Sequence, residues 1–244
     1  LIVEIINVKG SGYFCDVKKA RDASGRIVAV KQLKSVFVTN SDYVYRFKRE
    51  IELLERLNGV QHIVPCLDKE LDDVNLVYRY MMPFATFNLY NYIRNNNNKI
   101  SLEERIHIYD QVLEGMRYAH SEKILHRDIA PNNVLLFMNK DGIEVKISDF
   151  GLGKDYKSLS NFTKSVGMYG QQLYVAPEQY EQLNNATEQS DIYSLGKLLY
   201  FVITGRDPLT IQSGVKFQGI IQKAVRDNPK ERFESIEELS STIE

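Results

Sequence analysis

The sequence predicts an α+β fold in two parts, a small antiparallel β-sheet with one main helix followed by a larger, mostly helical region. Three observations predict it: the first third alternates short apolar segments with turns, the apolar period changes at Ser41, and helical patterns dominate from about residue 88. Residues 1–8 (LIVEIINV), 13–20 (YFCDVKKA) and 26–33 (RIVAVKQL, after the turn DASG) read as three strands. Phe47, Ile51, Leu54 and Leu57 then recur at three and four on a charged background closed by Asn58-Gly59, which predicts an amphipathic helix. Residues 62–67 (HIVPCL) and 74–81 (VNLVYRYM) return to strand character, and 82–87 (MPFATF) reads as a crossover. Helices are expected over 88–95, over 101–121 with a capping box at Ser101 and Glu104, and over 188–204, 216–226 and 235–243. The tract NNNN at 95–98 is a polar loop, and no internal repeat is found.

Composition narrows the function classes. With 43% hydrophobic and 26% charged residues, the 244-residue chain is an ordinary globular protein. A net charge of −1, with basic residues scattered among acids, gives no general attraction to nucleic acid or anionic lipid, so any anion site must be local. Cys15 and Cys66 have neither disulfide-framework nor zinc-ligand spacing. The apolar run LLYFVI at 198–203 is too short to cross a bilayer. A cytoplasmic protein without membrane insertion is the expectation, and a chain that begins at Leu1 is expected to be a domain of something longer.

Gly10-Ser11-Gly12 lies between the first two strands, where glycines let backbone approach phosphates closely, although a plain hairpin turn reads the same way. VAVK ends a strand on Lys31, and Glu50 follows 19 positions later on the amphipathic helix. A surface lysine and a helix-face acid would be the ordinary account of that pair. The region from residue 126 changes the weighting. His126-Arg127-Asp128, Asn133 five residues after the aspartate, and Asp149-Phe150-Gly151 after the strand pair VLLF and VKIS form an ordered set. Phosphoryl transfer needs a carboxylate near the attacking hydroxyl and oxygen ligands for magnesium, and these residue types supply both.

The chain resembles the eukaryotic-type protein kinase family over almost its whole length. The resemblance rests on GSGYFCDV, VAVK, the helix glutamate, HRDIAPNN, DFG, APE at 176–178, SDIYSLG at 190–196 and NPKERF with Arg232, in the family's order. It implies a single protein kinase domain over 1–244, with an N-lobe over about 1–80, a hinge over about 79–87 and a C-lobe over about 88–244. ATP would bind in the cleft below the hinge. Lys31 would contact the α- and β-phosphates while paired to Glu50, Asp128 would be the catalytic base, and Asn133 and Asp149 would bind Mg2+. Gly10 and Gly12 would close over the phosphates, Val17, Ala29 and Leu135 would enclose the adenine, and Tyr80 and Met81 would contribute nucleotide contacts at the hinge. Asp191 would anchor the catalytic loop, Glu178 and Arg232 would form a buried ion pair, and Leu54, Cys66, His126 and Phe150 would stack as packing residues. The implied function is ATP-dependent transfer to protein Ser/Thr hydroxyls, with protein substrates as partners and transient self-association for autophosphorylation.

Four departures qualify the pattern. Ala130 stands where Ser/Thr kinases of the family usually have Lys, and Asn132 where tyrosine kinases offset an Ala with Arg. Gln171 replaces a common Thr, and it is expected to bond Asp128 in the vacated space. Arg79 stands where an acid is common, with Tyr78 read as a bulky gatekeeper and Asn88 near a position that is often acidic. Cys15 replaces the third glycine, which would put a thiol near the nucleotide. Arg127 ahead of Asp128 implies control by an activation-loop phosphate, with Thr163 and Ser165 the expected sites. A pseudokinase scaffold is the alternative reading, but such chains usually lose the equivalents of Lys31, Asp128 or Asp149, and all three are present. A small-molecule kinase of the aminoglycoside type would lack the Glu178 and Arg232 pair.

Overall fold

Asp22 organises the first tight turn of the chain. Its Oδ1 accepts from the Ser24 N–H at 2.9 Å, the Ser24 hydroxyl at 2.7 Å and the Arg26 N–H at 2.9 Å, and Gly25 supplies the left-handed conformation with φ 86°. The computed structural model describes residues 3–150, 172–181 and 186–243, and it comprises two units, Leu1–Thr86 and Phe87–Glu244. In the first unit, β1 (Val3–Ser11), β2 (Cys15–Asp22), β3 (Ile27–Leu33), β4 (Asp68–Asp72) and β5 (Val77–Pro83) form an antiparallel sheet ordered β1-β2-β3-β5-β4.

Strand β3 is covered on both faces, and the two faces do different things. Val28 and Val30 cluster with Ala20 and Met81 on one side. On the other, Lys31 lies opposite Val17 and Tyr80, and Ala29 lies opposite Met82. Helix α1 (Ser41–Arg56) buries Phe47, Glu50, Ile51 and Leu54, the stripe its spacing predicts. Asn40 caps it by accepting from the N–H groups of Asp42 and Tyr43. Each buried apolar side chain on that stripe contributes about 1.5–3 kcal/mol.

The strand expected at 62–67 is not formed. Pro65 has no N–H to give a ladder, and Ile63 and Val64 instead fill core space from a loop, at 1% and 0% exposure. The strand is DKELD, β4, a charged edge paired only to β5, in which Glu70 sits opposite Arg79 and accepts from its guanidinium at 2.6 Å. This pair gives Arg79 a structural role on the strand.

In the second unit, β6 (Phe87–Asn88), β7 (Val134–Asn139) and β8 (Gly142–Ile147) form a sheet in that order. The helices described are α2 (Leu89–Asn96), α3 (Leu102–Ser121), α4 (Pro177–Glu181), α5 (Glu188–Thr204), α6 (Gln218–Ala224) and α7 (Ile236–Ser240). Ser101 caps α3 by accepting from the Glu104 N–H at 3.1 Å, one half of the expected box, while the Glu104 carboxylate accepts from the Tyr92 hydroxyl at 2.6 Å. Helices α6 and α7 are shorter than expected. The left-handed conformation of Phe217, φ 59°, sets the start of α6. Helix α5 is buried almost all round and forms the centre of this unit. Among the described residues no helix is long and apolar enough to cross a membrane.

Candidate active site

In the first unit the β3–β5 register decides which side chains meet. Lys31 Nζ donates to Glu50 Oε1 at 2.7 Å, with both side chains nearly inaccessible, so strand and helix are joined by a desolvated ion pair. Tyr80, directly across the ladder from Lys31, donates its hydroxyl to the same Glu50 Oε1 at 2.8 Å. Val17 and Ala29 share this face of the sheet. Met81 does not: its side chain packs with Ala20, Val28 and Val30 on the opposite face, so among the residues expected at a nucleotide it is turned away. Tyr78 is also displaced from the gatekeeper role expected of it, because Tyr80 lies opposite Lys31, while the Tyr78 hydroxyl donates to Asp73 at 2.8 Å.

Gly10 and Gly12 carry no left-handed backbone, and a Cβ at Gly10 would meet nothing within 4 Å. Gly10 lies at a register shift in the β1–β2 ladder, and the space beside it is open. Cys15 is buried opposite Leu33, and its carbonyl accepts from the Gly12 N–H at 2.8 Å. Its burial is that of an inert packing cysteine rather than a reactive thiol. Cys66 is only half-buried, with Sγ 3.7 Å from the Asp68 carbonyl, and burial followed by the nearby Glu55 charge pushes its thiol up to about 11.

In the second unit the loop after α3 hangs from one carboxylate. Asp191 on α5, 0% exposed, accepts from the His126 N–H at 2.9 Å, the Arg127 N–H at 2.8 Å and His120 Nε2 at 2.9 Å. Burial works to raise its pKa, yet the hydrogen bond and charge of His120, with His126, hold it below the ordinary aspartate value. The anchored loop keeps Arg127 at φ 67° and, further on, Asp149 sits at φ 63°, a conformation costly for non-glycine residues. The Asp128 N–H donates to His126 Nδ1 at 3.2 Å. That makes Nε2 the protonated nitrogen, which donates to the Ser148 carbonyl at 3.0 Å. His126 therefore connects the loop to the residue before Asp149, and its ring lies 4.7 Å from that of Phe150.

Asn133 donates through Nδ2 to the Asp128 carbonyl at 2.7 Å and to Asp128 Oδ2 at 3.1 Å. Its own carbonyl accepts from the Ser148 N–H at 2.8 Å, so Asp128, Asn133 and the approach to Asp149 form one hydrogen-bonded set. Ala130 is buried, and its carbonyl accepts from the Asn133 N–H at 2.9 Å. Leu135 lies on β7 opposite Asn88. Asn88 caps α2 and also donates to Asn132 Oδ1 at 3.4 Å, a link between the α2 start and the loop.

Glu178 on α4 and Arg232 form a two-pronged pair at 2.7 and 2.9 Å, and the Ser190 hydroxyl donates to Glu178 Oε1 at 2.7 Å. Gln179, 2% exposed, donates to the Arg127 carbonyl at 3.0 Å and so fixes the peptide that carries the strained φ. Sequence reasoning missed Gln179, His120 and the Tyr80 bond. A buried glutamine or histidine has no spacing signature of its own. Gly151, Thr163, Ser165 and Gln171 lie outside the described residues, and with them the expected Gln171 bond to Asp128.

A model described as the protein kinase domain matches residues 3–244. The chain belongs to the protein kinase domain family. It is 34% identical over 234 residues to a probable serine/threonine-protein kinase PknB of Lactococcus lactis, covering 93% of this chain and 36% of that protein. It is 31% identical over 208 residues to human NUAK family SNF1-like kinase 2, covering 84% and 31%. Serine/threonine-protein kinase PrkC of Bacillus subtilis is 28% identical over 264 residues, covering 98% and 40%. The kinase domain thus spans about a third of the length of these relatives. The crystal structure of the Mycobacterium tuberculosis PknI kinase domain superposes with a TM-score of 0.73 at 20% identity, covering 99% of this chain and 94% of that one, which shows the bilobal kinase fold. Magnesium suits the chemistry of the donors present. Asn133 and Asp149 offer hard oxygens, and among the described residues no three His, Cys, Asp or Glu gather into a cage. A cation that keeps waters and phosphate oxygens as its other ligands needs few from the protein.

Proposed function

We propose that this kinase domain transfers the γ-phosphoryl group of ATP to serine and threonine hydroxyls of protein substrates, and that it phosphorylates its own activation segment. The observation that carries the reading is the hydrogen bond of Asn133 to Asp128 in a loop suspended from buried Asp191. Asp128 would orient the substrate hydroxyl and accept its proton as the oxygen attacks phosphorus and the bond to the β-phosphate oxygen breaks. Lys31, held by Glu50, would take the α- and β-phosphates, with Gly10 and Gly12 admitting them against the backbone, Val17, Ala29 and Leu135 lining the base and Tyr80 near it, while Met81, packed on the opposite face of the sheet, drops out of the nucleotide set. Asn133 and Asp149 would hold Mg2+, which when bound supplies positive charge against the phosphates. The two relatives named as serine/threonine-protein kinases support serine and threonine as acceptors. We further propose a single domain over 1–244 with a hinge near 79–87, acting in the cytoplasm and meeting a second copy during autophosphorylation.

The test is incubation with ATP and Mg2+, followed by mass spectrometry of the chain and of a protein substrate mixture. Phosphate is expected on Ser and Thr for the wild type, and its incorporation is expected to fall at least about 1000-fold in Asp128→Ala, consistent with loss of acid–base and positioning contributions together. Nucleotide binding without transfer in the wild type would return the chain to the scaffold reading.

A further inference from the structure

We infer that Tyr80 is a positioning residue for Lys31, acting through Glu50; its catalytic consequence rests on the kinase reading above. Three observations carry it. Tyr80 is 0% exposed and lies directly opposite Lys31 in the β3–β5 ladder, so the register fixes where its ring stands. Its hydroxyl donates to Glu50 Oε1 at 2.8 Å, the same oxygen that accepts from Lys31 Nζ at 2.7 Å. Its ring is locked from two sides, with Phe47 of α1 at 5.8 Å between centroids and Lys31 Nζ at 6.0 Å from its own centroid.

A carboxylate paired to a single lysine can rotate or shift with the helix that carries it. A second donor on Oε1, delivered from the rigid strand beside Lys31, ties that oxygen to the sheet as well. The lysine is then presented in one orientation before any phosphate arrives, which is the preorganisation that favours a transition state over a ground state. The hydroxyl is required for this, and the ring alone would only fill space.

The experiment compares wild type, Tyr80→Phe, Glu50→Gln and the double variant. Phenylalanine keeps the packing with Phe47 and deletes only the donor. The first readout is the rate at which a water-soluble succinimidyl ester acylates Lys31 in the nucleotide-free protein, followed by peptide mass spectrometry. Tyr80→Phe is expected to raise it at least about threefold, a readout that space-filling would leave unmoved, and to add nothing in the Glu50→Gln background. The second is steady-state kinetics, where Tyr80→Phe is expected to lower kcat about tenfold while KM for ATP changes less than about threefold, corresponding to about 1.4 kcal/mol. Unchanged Lys31 acylation in Tyr80→Phe, or an equal rise with and without Glu50, overturns the inference whatever the chain does as an enzyme. Raised acylation with unchanged kcat overturns the catalytic part. A wild type that transfers no phosphate while Lys31 acylation still responds overturns the kinase reading and supports the hold of Tyr80 on Glu50.

Discussion

Glu178 and Arg232 show how a single pair can be read for stability. Arg232 spends every guanidinium nitrogen, on both Glu178 oxygens and on the carbonyls of Arg226, Gln189 and Asp227, and its side chain is fully buried. Arg232→Met would leave Glu178 desolvated without its partner, at a cost of about 3–5 kcal/mol in urea denaturation at pH 7. Glu178→Gln/Arg232→Met together should cost less than Arg232→Met alone, because no orphan charge remains. Burial acts to raise the Glu178 pKa, but the hydrogen bonds of Arg232 and Ser190 overcome it and hold the group below the ordinary glutamate value. The stability it contributes is therefore complete above the unfolded-chain value of about 4.3 and is lost as pH falls through the lower folded value. Asp22 follows the same sign: the Ser24 hydroxyl first, and Arg26 after it, pull its carboxyl down to about 2. The stability gap between wild type and Asp22→Asn should thus be constant above pH 4 and close between about pH 4 and 2; a gap that persists unchanged to pH 2 would mean the turn does not depend on the charge. Residues of this kind are legible when their type and position are enough, as for Lys31 and Glu50. Tyr80 was not, because YRYMMP contains two tyrosines and only the register with β3 says which one faces Lys31.

At the scale of elements, α5 is the clearest case of pattern becoming structure, since the run from Glu188 to Thr204 is buried on nearly every side, is apolar from Leu198 to Ile203, and ends at Gly205 with φ 68°. What the pattern could not show is how close α6 comes. A Cβ at Gly196 would sit 2.5 Å from the Ala224 Cβ, so the two helices touch through a glycine. Gly196→Ala is expected to destabilise by about 1–3 kcal/mol through overpacking, and Ala224→Gly in the same chain to recover part of it, both measured by thermal denaturation. No loss in the single variant would show that α6 can shift freely. Strand β4 was missed for the opposite reason. DKELD has almost no β-propensity, and it is a strand because β5 offers a free edge and Arg79 a partner for Glu70, neither of which local sequence encodes. Asp191 joins element to loop. In Asp191→Asn a carboxamide with one acceptor oxygen meets the donors of His120, His126 and Arg127, so charge-assisted bonds worth about 1.5–3 kcal/mol each are lost and the strained Arg127 conformation should relax. Folding stability and kcat are both expected to fall, and a variant with wild-type kcat would show that the loop holds itself.

For the whole molecule the governing quantity is charge. The chain carries 31 basic and 32 acidic side chains, so no long-range field draws a polyanion to it. The lysine expected to meet phosphates is already paired with Glu50, and Asp128 and Asp149 would repel an approaching nucleotide. Nucleotide affinity on this chain should therefore depend on a divalent cation far more than on side-chain cations. With Mg2+ present and ADP at 100 times its Kd, binding would stabilise the folded chain by about 2.7 kcal/mol. For a domain of this size that corresponds to a Tm rise on the order of 5–10 °C. Chelation with EDTA should remove most of the rise, and Asp149→Asn should reduce it to the same residual, since that variant loses the charged oxygen donor while Asn133 remains. Magnesium without nucleotide should move Tm little, because two oxygen donors do not make a cage. A rise that survives EDTA undiminished would mean that the protein binds the anion without a metal, and that Asn133 and Asp149 do not act as its ligands.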